Sequence, residues 1–282
     1  MAEIPQVSLT LANRAENVLL VRQALSGLAE TVGLDPVGLN DMSTAVSEAC
    51  NNVVVHAYRG ERGPLEVDVF AAGERIEVVV RDFGDGIHPH ERELDEIAGG
   101  IGLPVIHALS DSVEFRDLDG SGTEVRMRFA AAPGSALLEC MHDDDGDGRQ
   151  AARARRSSTR PGSTSVAVGP PLLARAVLPR VLCALAARAD FSTDRISDTQ
   201  LLADALAGHR GGAGGDSRLA VQVSVAPREL HVRVGPLPRG AAADVLAGID
   251  GVGSLVERLA DGCDVSSSGA AEVLDLRLLA RA

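Results

Sequence analysis

The sequence predicts an α+β fold, a two-layer α/β sandwich, and predicts that it is duplicated. Three observations carry this reading. Short runs of alternating apolar residues bracket longer stretches with helical apolar spacing through residues 7–130. Between Pro133 and about Ser165 all apolar periodicity disappears. Residues 166–282 then repeat the element order of the first half. The expected organisation is a domain over 1–132, a flexible linker over 133–165 and a second domain over 166–282. Two unrelated α+β domains with the same coarse order are the alternative to duplication.

The elements follow in order. Val7 to Leu11 alternates as a strand. Asn13 and Glu16 form an N-x-x-E start close to a capping box, and Val18, Leu19, Val21, Leu25 and Leu28 make a helical stripe behind it. A second helix is expected from Pro36 to Ala57, with Val46, Ala49, Val53 and Val54 facing inward. Leu65–Phe70 and Ile76–Val80 read as paired strands around a turn at Gly73. Leu103–Leu109 reads as a helix, and Val113–Arg116 and Glu124–Phe129 as closing strands. In the second half the same sequence runs as a strand at Val166–Val168 and helices at Leu172–Ala189 and Asp198–Ala207. Strands at Leu219–Val225 and Leu230–Val234, a helix at Leu255–Leu259 and a strand at Val273–Leu279 complete it.

Composition removes several classes of chemistry. All 27 basic residues are Arg, because the chain has no Lys. A Walker-type phosphate loop and the usual protein-kinase strand both need Lys, as does Schiff-base catalysis. A net charge of −13 argues against a broad nucleic-acid surface. Cys50, Cys140, Cys183 and Cys263 are scattered without a CxxC pair, which reads as reduced thiols and a cytoplasmic protein. No signal pattern opens the sequence, and Arg interrupts apolar runs before membrane-spanning length, so no membrane segment is expected. DDDGDG at 143–148 lacks a calcium-loop Glu, since Ala154 stands at the twelfth position. His88 and His90 form an H-x-H with nothing nearby to complete a metal site.

Four short motifs stand out. SEACNNVVVH (47–56) puts Glu48 and Asn52 one helical turn apart on a shared face. RDFGDGI (81–87) ends a strand with Asp82 followed by Gly84 and Gly86, glycines that let backbone approach a ligand closely. GGIGLPVIHAL (99–109) sets Gly100 and Gly102 at a helix start, where backbone N–H groups can meet phosphate oxygens. Gly122-Thr123 opens the last strand. Taken singly, each has a bland reading: a solvated helix face, a tight turn, a helix cap.

Taken in order, E-x-x-x-N, D-x-G-x-G, G-x-G-L and G-T resemble the Bergerat-fold, or GHKL, ATPases over about residues 5–130, and within them the RsbW-like anti-sigma-factor serine-protein kinases. EACNNVVVH matches the family's E-A-x-x-N-A-x-x-H except for Val53 in place of Ala. The resemblance implies ATP and Mg²⁺ as cofactors. It makes Glu48 the general base on the attacking hydroxyl and Asn52 the Mg²⁺ ligand. It makes Asp82 the partner of the adenine amino group, with Gly84 and Gly86 shaping the purine pocket. Gly100 and Gly102 would line the triphosphate, and Thr123 would lie behind the base. His56 is expected to be structural. The segment between the glycine motifs would be a short ATP lid.

The resemblance also implies partners: a sigma factor that is sequestered and an anti-anti-sigma antagonist that is phosphorylated, with no direct nucleic acid and no membrane. An ATP-binding partner-switching module with little or no kinase activity is the alternative. In the second half Glu48 aligns with Asp204, Asn52 with Gly208, Asp82 with Pro236, Gly84 with Pro238 and Thr123 with Ala270. Base, metal ligand and purine reader are altered together, so the second domain is expected to be degenerate. It would serve as an intramolecular pseudo-dimer partner or a docking module, or the chain would form a homodimer.

Overall fold

Alternation of apolar and polar residues builds the first sheet. In the computed structural model, β1 (Val7–Ala12), β2 (Pro64–Ala72), β3 (Arg75–Arg81), β4 (Ser112–Asp117) and β5 (Thr123–Ala130) lie in the order β1-β2-β3-β5-β4, all antiparallel. The structure describes residues 4–84, 102–118, 120, 122–131, 163–208, 218–247, 255–269 and 271–281. The chain divides into two units, Val7–Asp143 and Asp144–Ala282 with Met1–Gln6. The expected 133–165 linker lies almost wholly outside the described residues.

Among the described residues, three α-helices pack in the first unit: α1 (Ala15–Val32), α2 (Pro36–Asn52) and α3 (Gly102–Leu109). Leu9, Leu11, Leu65, Val67, Ile76, Val78 and Met127 are buried on the sheet; Leu20, Leu25, Leu28, Met42 and Val46 are buried on the helices. Each such side chain contributes about 1.5–3 kcal/mol by leaving water. With so few aromatics, these aliphatic pairs are the core. Asp35 caps α2 by accepting the Gly38 N–H at 2.7 Å, with Pro36 at the first helical position. Gly33, in the left-handed conformation at φ 68°, ends α1.

Two local expectations are corrected. Asn13 does not cap α1. The N-cap is Arg14, whose side chain makes no capping bond, and Asn13 instead donates to Glu61 O (3.0 Å) and accepts from Gly63 N (2.9 Å), fastening the end of β1 to the loop before β2. The helix expected through Ala57 is α-helical only to Asn52. Val53–Ala57 then forms one wider π turn. That extra residue rotates the valines, so Val53 is buried, Val54 half-buried and Val55 63% exposed. Only the first of the three anchors the helix.

The face of the sheet bearing the polar residues is a lattice of ion pairs. Arg81 bridges Asp68 (2.6 Å) and Glu124 (2.7 Å), Arg126 pairs with Glu77 and Glu124, and Arg128 joins Glu77 (2.8 Å) to Glu114 (3.1 Å). Burial works against the charge on Glu124, but Arg81 and Arg126 outweigh it and hold the carboxyl below its ordinary value.

The second unit comprises β6 (Thr164–Val168), α4 (Pro171–Arg188), α5 (Thr193–Gly208), β7 (Leu219–Ala226), β8 (Glu229–Pro238), α6 (Ala241–Ala247), α7 (Leu255–Leu259), β9 (Gly262–Ser268) and β10 (Ala271–Leu279). Its antiparallel strands run β6-β7-β8-β10-β9, the first-to-fifth order 1-2-3-5-4 found in the first unit. Arg195, 2% exposed, fastens this unit by donating to Leu279 O (2.9 Å) and Leu259 O (2.8 Å) and pairing with Asp261. Among the described residues no helix is long and apolar enough to cross a membrane.

Candidate functional site

The site grows from the end of α2. Ala45, Val46, Ala49 and Cys50 are buried, which turns the stripe of Glu48 and Asn52 sideways, leaving both side chains half-buried. Neither side chain has a hydrogen bond or ion pair among the described residues. The start of α3 meets them there. A Cβ built on Gly102 would lie 3.3 Å from Glu48 Oε2 and 3.6 Å from Asn52 Oδ1. A carboxylate, an amide oxygen and a helix N-terminus thus converge. The first turn of α3 contains no acidic residue, so its positive end is uncompensated by its own sequence.

Asp82 lies just past the end of β3. Its N–H donates to Thr123 O at 3.0 Å, its Oδ1 accepts the Gly84 N–H at 3.0 Å, and Thr123 bonds its carboxylate through backbone N–H and side chain. Thr123 therefore supports Asp82 directly. Gly122 sits at φ 126°, and a Cβ there would stand 2.1 Å from Asp82 O, so only glycine lets the two backbones touch. Gly84 has a different reason: a Cβ would fall 1.8 Å from Ala57 O, at the end of the π turn. The D-x-G turn thus presses on the helix that carries Glu48 and Asn52. Gly86 and Gly100, also expected at the site, lie outside the described residues, as do His88, His90 and the expected lid. His56 is exposed.

Burial is the main influence on Asp82, which is 5% exposed, and it raises the carboxyl above its ordinary 3.8 although the Gly84 and Thr123 bonds pull the other way. Above 3.8 the folded protein holds the proton more tightly than the unfolded chain, so stability falls as pH rises through the interval between the two values. The deficit persists at higher pH. Asp82→Asn removes the charge and keeps one acceptor oxygen in place of two. Relative to wild type, its stability should rise from pH 3 to pH 8, because only wild type carries the deficit. Thermal denaturation of both proteins from pH 3 to pH 8 checks the sign.

Tyr58 belongs to this site and no spacing rule pointed to it. Its hydroxyl accepts the Phe83 N–H at 2.8 Å and donates to Pro64 O at 2.5 Å. The available signal was its isolation: it is the chain's single Tyr and stands two residues after His56.

Under the expected duplication, the second unit differs at the positions that would match the site. Burial of Thr199, Leu202, Ala203, Leu206 and Ala207 has the spacing of Met42, Ala45, Val46, Ala49 and Cys50, a register that would set Glu48 opposite Ala205, one residue from the expected Asp204. Leu230, Val232 and Val234 likewise match Ile76, Val78 and Val80, which puts Pro236 opposite Asp82. Here the strand does not turn away. β8 continues to Pro238, paired with Ala271, and Leu237 is buried. Glu272 accepts the Ala242 N–H at 3.2 Å, so a side chain of the unit itself meets the start of α6.

Comparison with known proteins bears on the first unit. A family model described as a histidine kinase-like ATPase domain matches residues 11–129. The "Serine-protein kinase RsbW" of Bacillus licheniformis is 33% identical over 127 residues, which cover 40% of this chain and 78% of that protein. The "Anti-sigma F factor" of Thermoanaerobacter sp. (strain X514) is 30% identical over 131 residues, 43% of this chain and 90% of that protein. A solved structure of the RsbU and RsbW domains of a Mycobacterium tuberculosis protein overlays at 9% identity with a TM-score of 0.28, covering 99% of this chain and 88% of that one, too loosely to add anything. With most of two such relatives covered at this identity, the chain belongs to the histidine kinase-like (GHKL) ATPases, in their RsbW-like serine-protein kinase group.

Proposed function

We propose that the first unit is an ATP-dependent serine/threonine protein kinase that phosphorylates an anti-sigma antagonist and sequesters a sigma factor. The carrying observation is the approach of Gly102, at the start of α3, to both Glu48 and Asn52. Phosphoryl transfer needs three things at one point: charge stabilisation for the γ-phosphate, a metal position and a proton acceptor. The N-terminus of α3 supplies N–H groups and dipole for the first, which suits a chain without Lys. Asn52 Oδ1 is the hard oxygen donor that would hold Mg²⁺, and the ion would supply further phosphate neutralisation when bound. Glu48 would take the proton from the incoming hydroxyl. Asp82, held by Gly84 and Thr123, would accept the adenine amino group.

We read the second unit as a degenerate copy that binds no nucleotide. Ala205 and Pro236 support this. Tethered to the first unit, it would present a partner-binding or pseudo-dimer surface at high effective concentration. Calorimetric titration of the whole chain with ATP and Mg²⁺ tests both readings. One saturable site per chain is expected. Two sites would overturn the degenerate copy, and none would overturn the nucleotide site itself. If ATP binds but no acceptor is ever labelled, the partner-switching alternative stands in place of the kinase.

A further inference from the structure

We propose that Tyr58 is a positioning residue for nucleotide selection, holding the Asp82 turn from the helix side so that its carboxylate discriminates among purines; this rests on Asp82 being the purine reader. The geometry is specific. The Asp82 N–H is fixed by Thr123 O, and the next N–H along the chain, that of Phe83, is fixed by the Tyr58 hydroxyl at 2.8 Å. The turn is therefore held from two directions. Gly84 and Thr123 hold the carboxylate, but both belong to the turn or to the sheet beside it. The Tyr58 hydroxyl ties that turn to the chain leaving the Glu48–Asn52 helix.

The phenol is itself constrained. It donates to Pro64 O at 2.5 Å while accepting from Phe83. Its ring lies flat against Gly63, where a Cβ would come within 2.0 Å of Cε1 and 2.2 Å of Cζ. Gly63 is in turn held by Asn13, which accepts its N–H at 2.9 Å. Burial, ahead of the nearby Asp82 and Glu66 charges, pushes the phenol up to about 12, so it remains a donor at any working pH. A residue that only closed a loop would need one of these bonds. The pair links the loop before β2 to the backbone of the purine reader.

The test uses the full chain and two probes: ATP, and purine riboside triphosphate, which lacks the 6-amino group. Wild type should prefer ATP. Tyr58→Phe keeps the ring and removes the acceptor of Phe83 N–H. It should weaken ATP binding about fivefold to tenfold, the scale of one hydrogen bond, while affinity for the analogue changes less than about twofold. Gly63→Ala displaces the ring without touching its chemistry and should lower the same preference. An unchanged ATP-to-analogue ratio in Y58F and G63A would overturn the proposal and leave Tyr58 a structural staple, as would failure of both variants to fold. If only one folds, its ratio decides. Absence of ATP binding or of discrimination by wild type would instead sink the Asp82 reading, and the role of Tyr58 with it.

Discussion

Glu48→Gln should bind ATP and Mg²⁺ within a few-fold of wild type and lose about 10²–10⁴ of its rate of γ-phosphoryl transfer. The substitution is nearly isosteric, so the half-buried position beside Gly102 remains filled and the packing of α2 against α3 is unaffected. Only the capacity to take a proton is removed. A hydroxyl attacking phosphorus gains acidity as the bond forms, and a base poised at that point lowers the barrier by a corresponding amount. The measurement is single-turnover transfer from radiolabelled ATP to the acceptor protein that wild type labels best, with the affinity of each protein for ATP determined in parallel. Equal rates in E48Q and wild type would show that Glu48 is not the base. Loss of ATP binding in E48Q would show that the residue shapes the nucleotide site and not the chemistry.

Why Glu48 and Asn52 were legible and Tyr58 was not follows from range. A separation of four on a helix is a local relation, and the sequence contains all of it. So is a glycine after a strand end. The strand alternation also made every pairing partner in the first unit identifiable as a strand, including the closing Thr123–Ala130. What each glycine accommodates is not local. Gly84 is glycine because of Ala57, and Gly63 because of Tyr58. The π turn is invisible for another reason: apolar spacing at Val53–Val55 fits an α-helix, and the wider turn is selected by what packs around it. Asn13 shows the converse. An N-x-x-E pattern satisfies the capping rule, yet the carbonyl of Glu61 and N–H of Gly63 offered that amide a better-matched pair of partners.

The second unit extends the same lesson. Four of its five strands are legible because alternation survives substitution among Leu, Val and Ala, whereas β9, Gly262–Ser268, reads GCDVSSS without apolar alternation and is not anticipated. Its helix register is not legible in a stretch without polar landmarks; burial of Thr199 and Leu202 supplies the phase. An apolar framework is maintained by folding alone, whereas a carboxylate at the position of Glu48 is maintained only by chemistry. Under the proposed duplication, Ala205 and Pro236 are what remains when the second requirement lapses and the first does not.

Gly84→Ala should cost ATP affinity about 100-fold or more, out of proportion to its effect on stability. The added Cβ would stand 1.8 Å from Ala57 O and 2.6 Å from Ala57 C, both backbone atoms of the turn that ends the Glu48–Asn52 helix. No rotamer relieves a contact of that kind, so either the turn or the helix end retreats by more than about 1 Å. Retreat of the turn carries away the Gly84 N–H that orients the Asp82 carboxylate. Retreat of the helix end shifts Asn52 relative to Gly102. A displacement of about 1 Å costs a positioned reaction about 100-fold, and the same scale is expected here for the oriented contact to the purine, whereas overpacking of this size costs about 1–3 kcal/mol of stability. Gly73→Ala separates the two effects. Gly73 sits at φ 57° with nothing within 4 Å of its Cβ position, far along the β2–β3 hairpin, so its alanine variant should lose about 1 kcal/mol and no affinity. Calorimetry and urea unfolding on the two variants decide the matter. If G84A binds ATP as tightly as G73A does, the turn and the helix do not form one site.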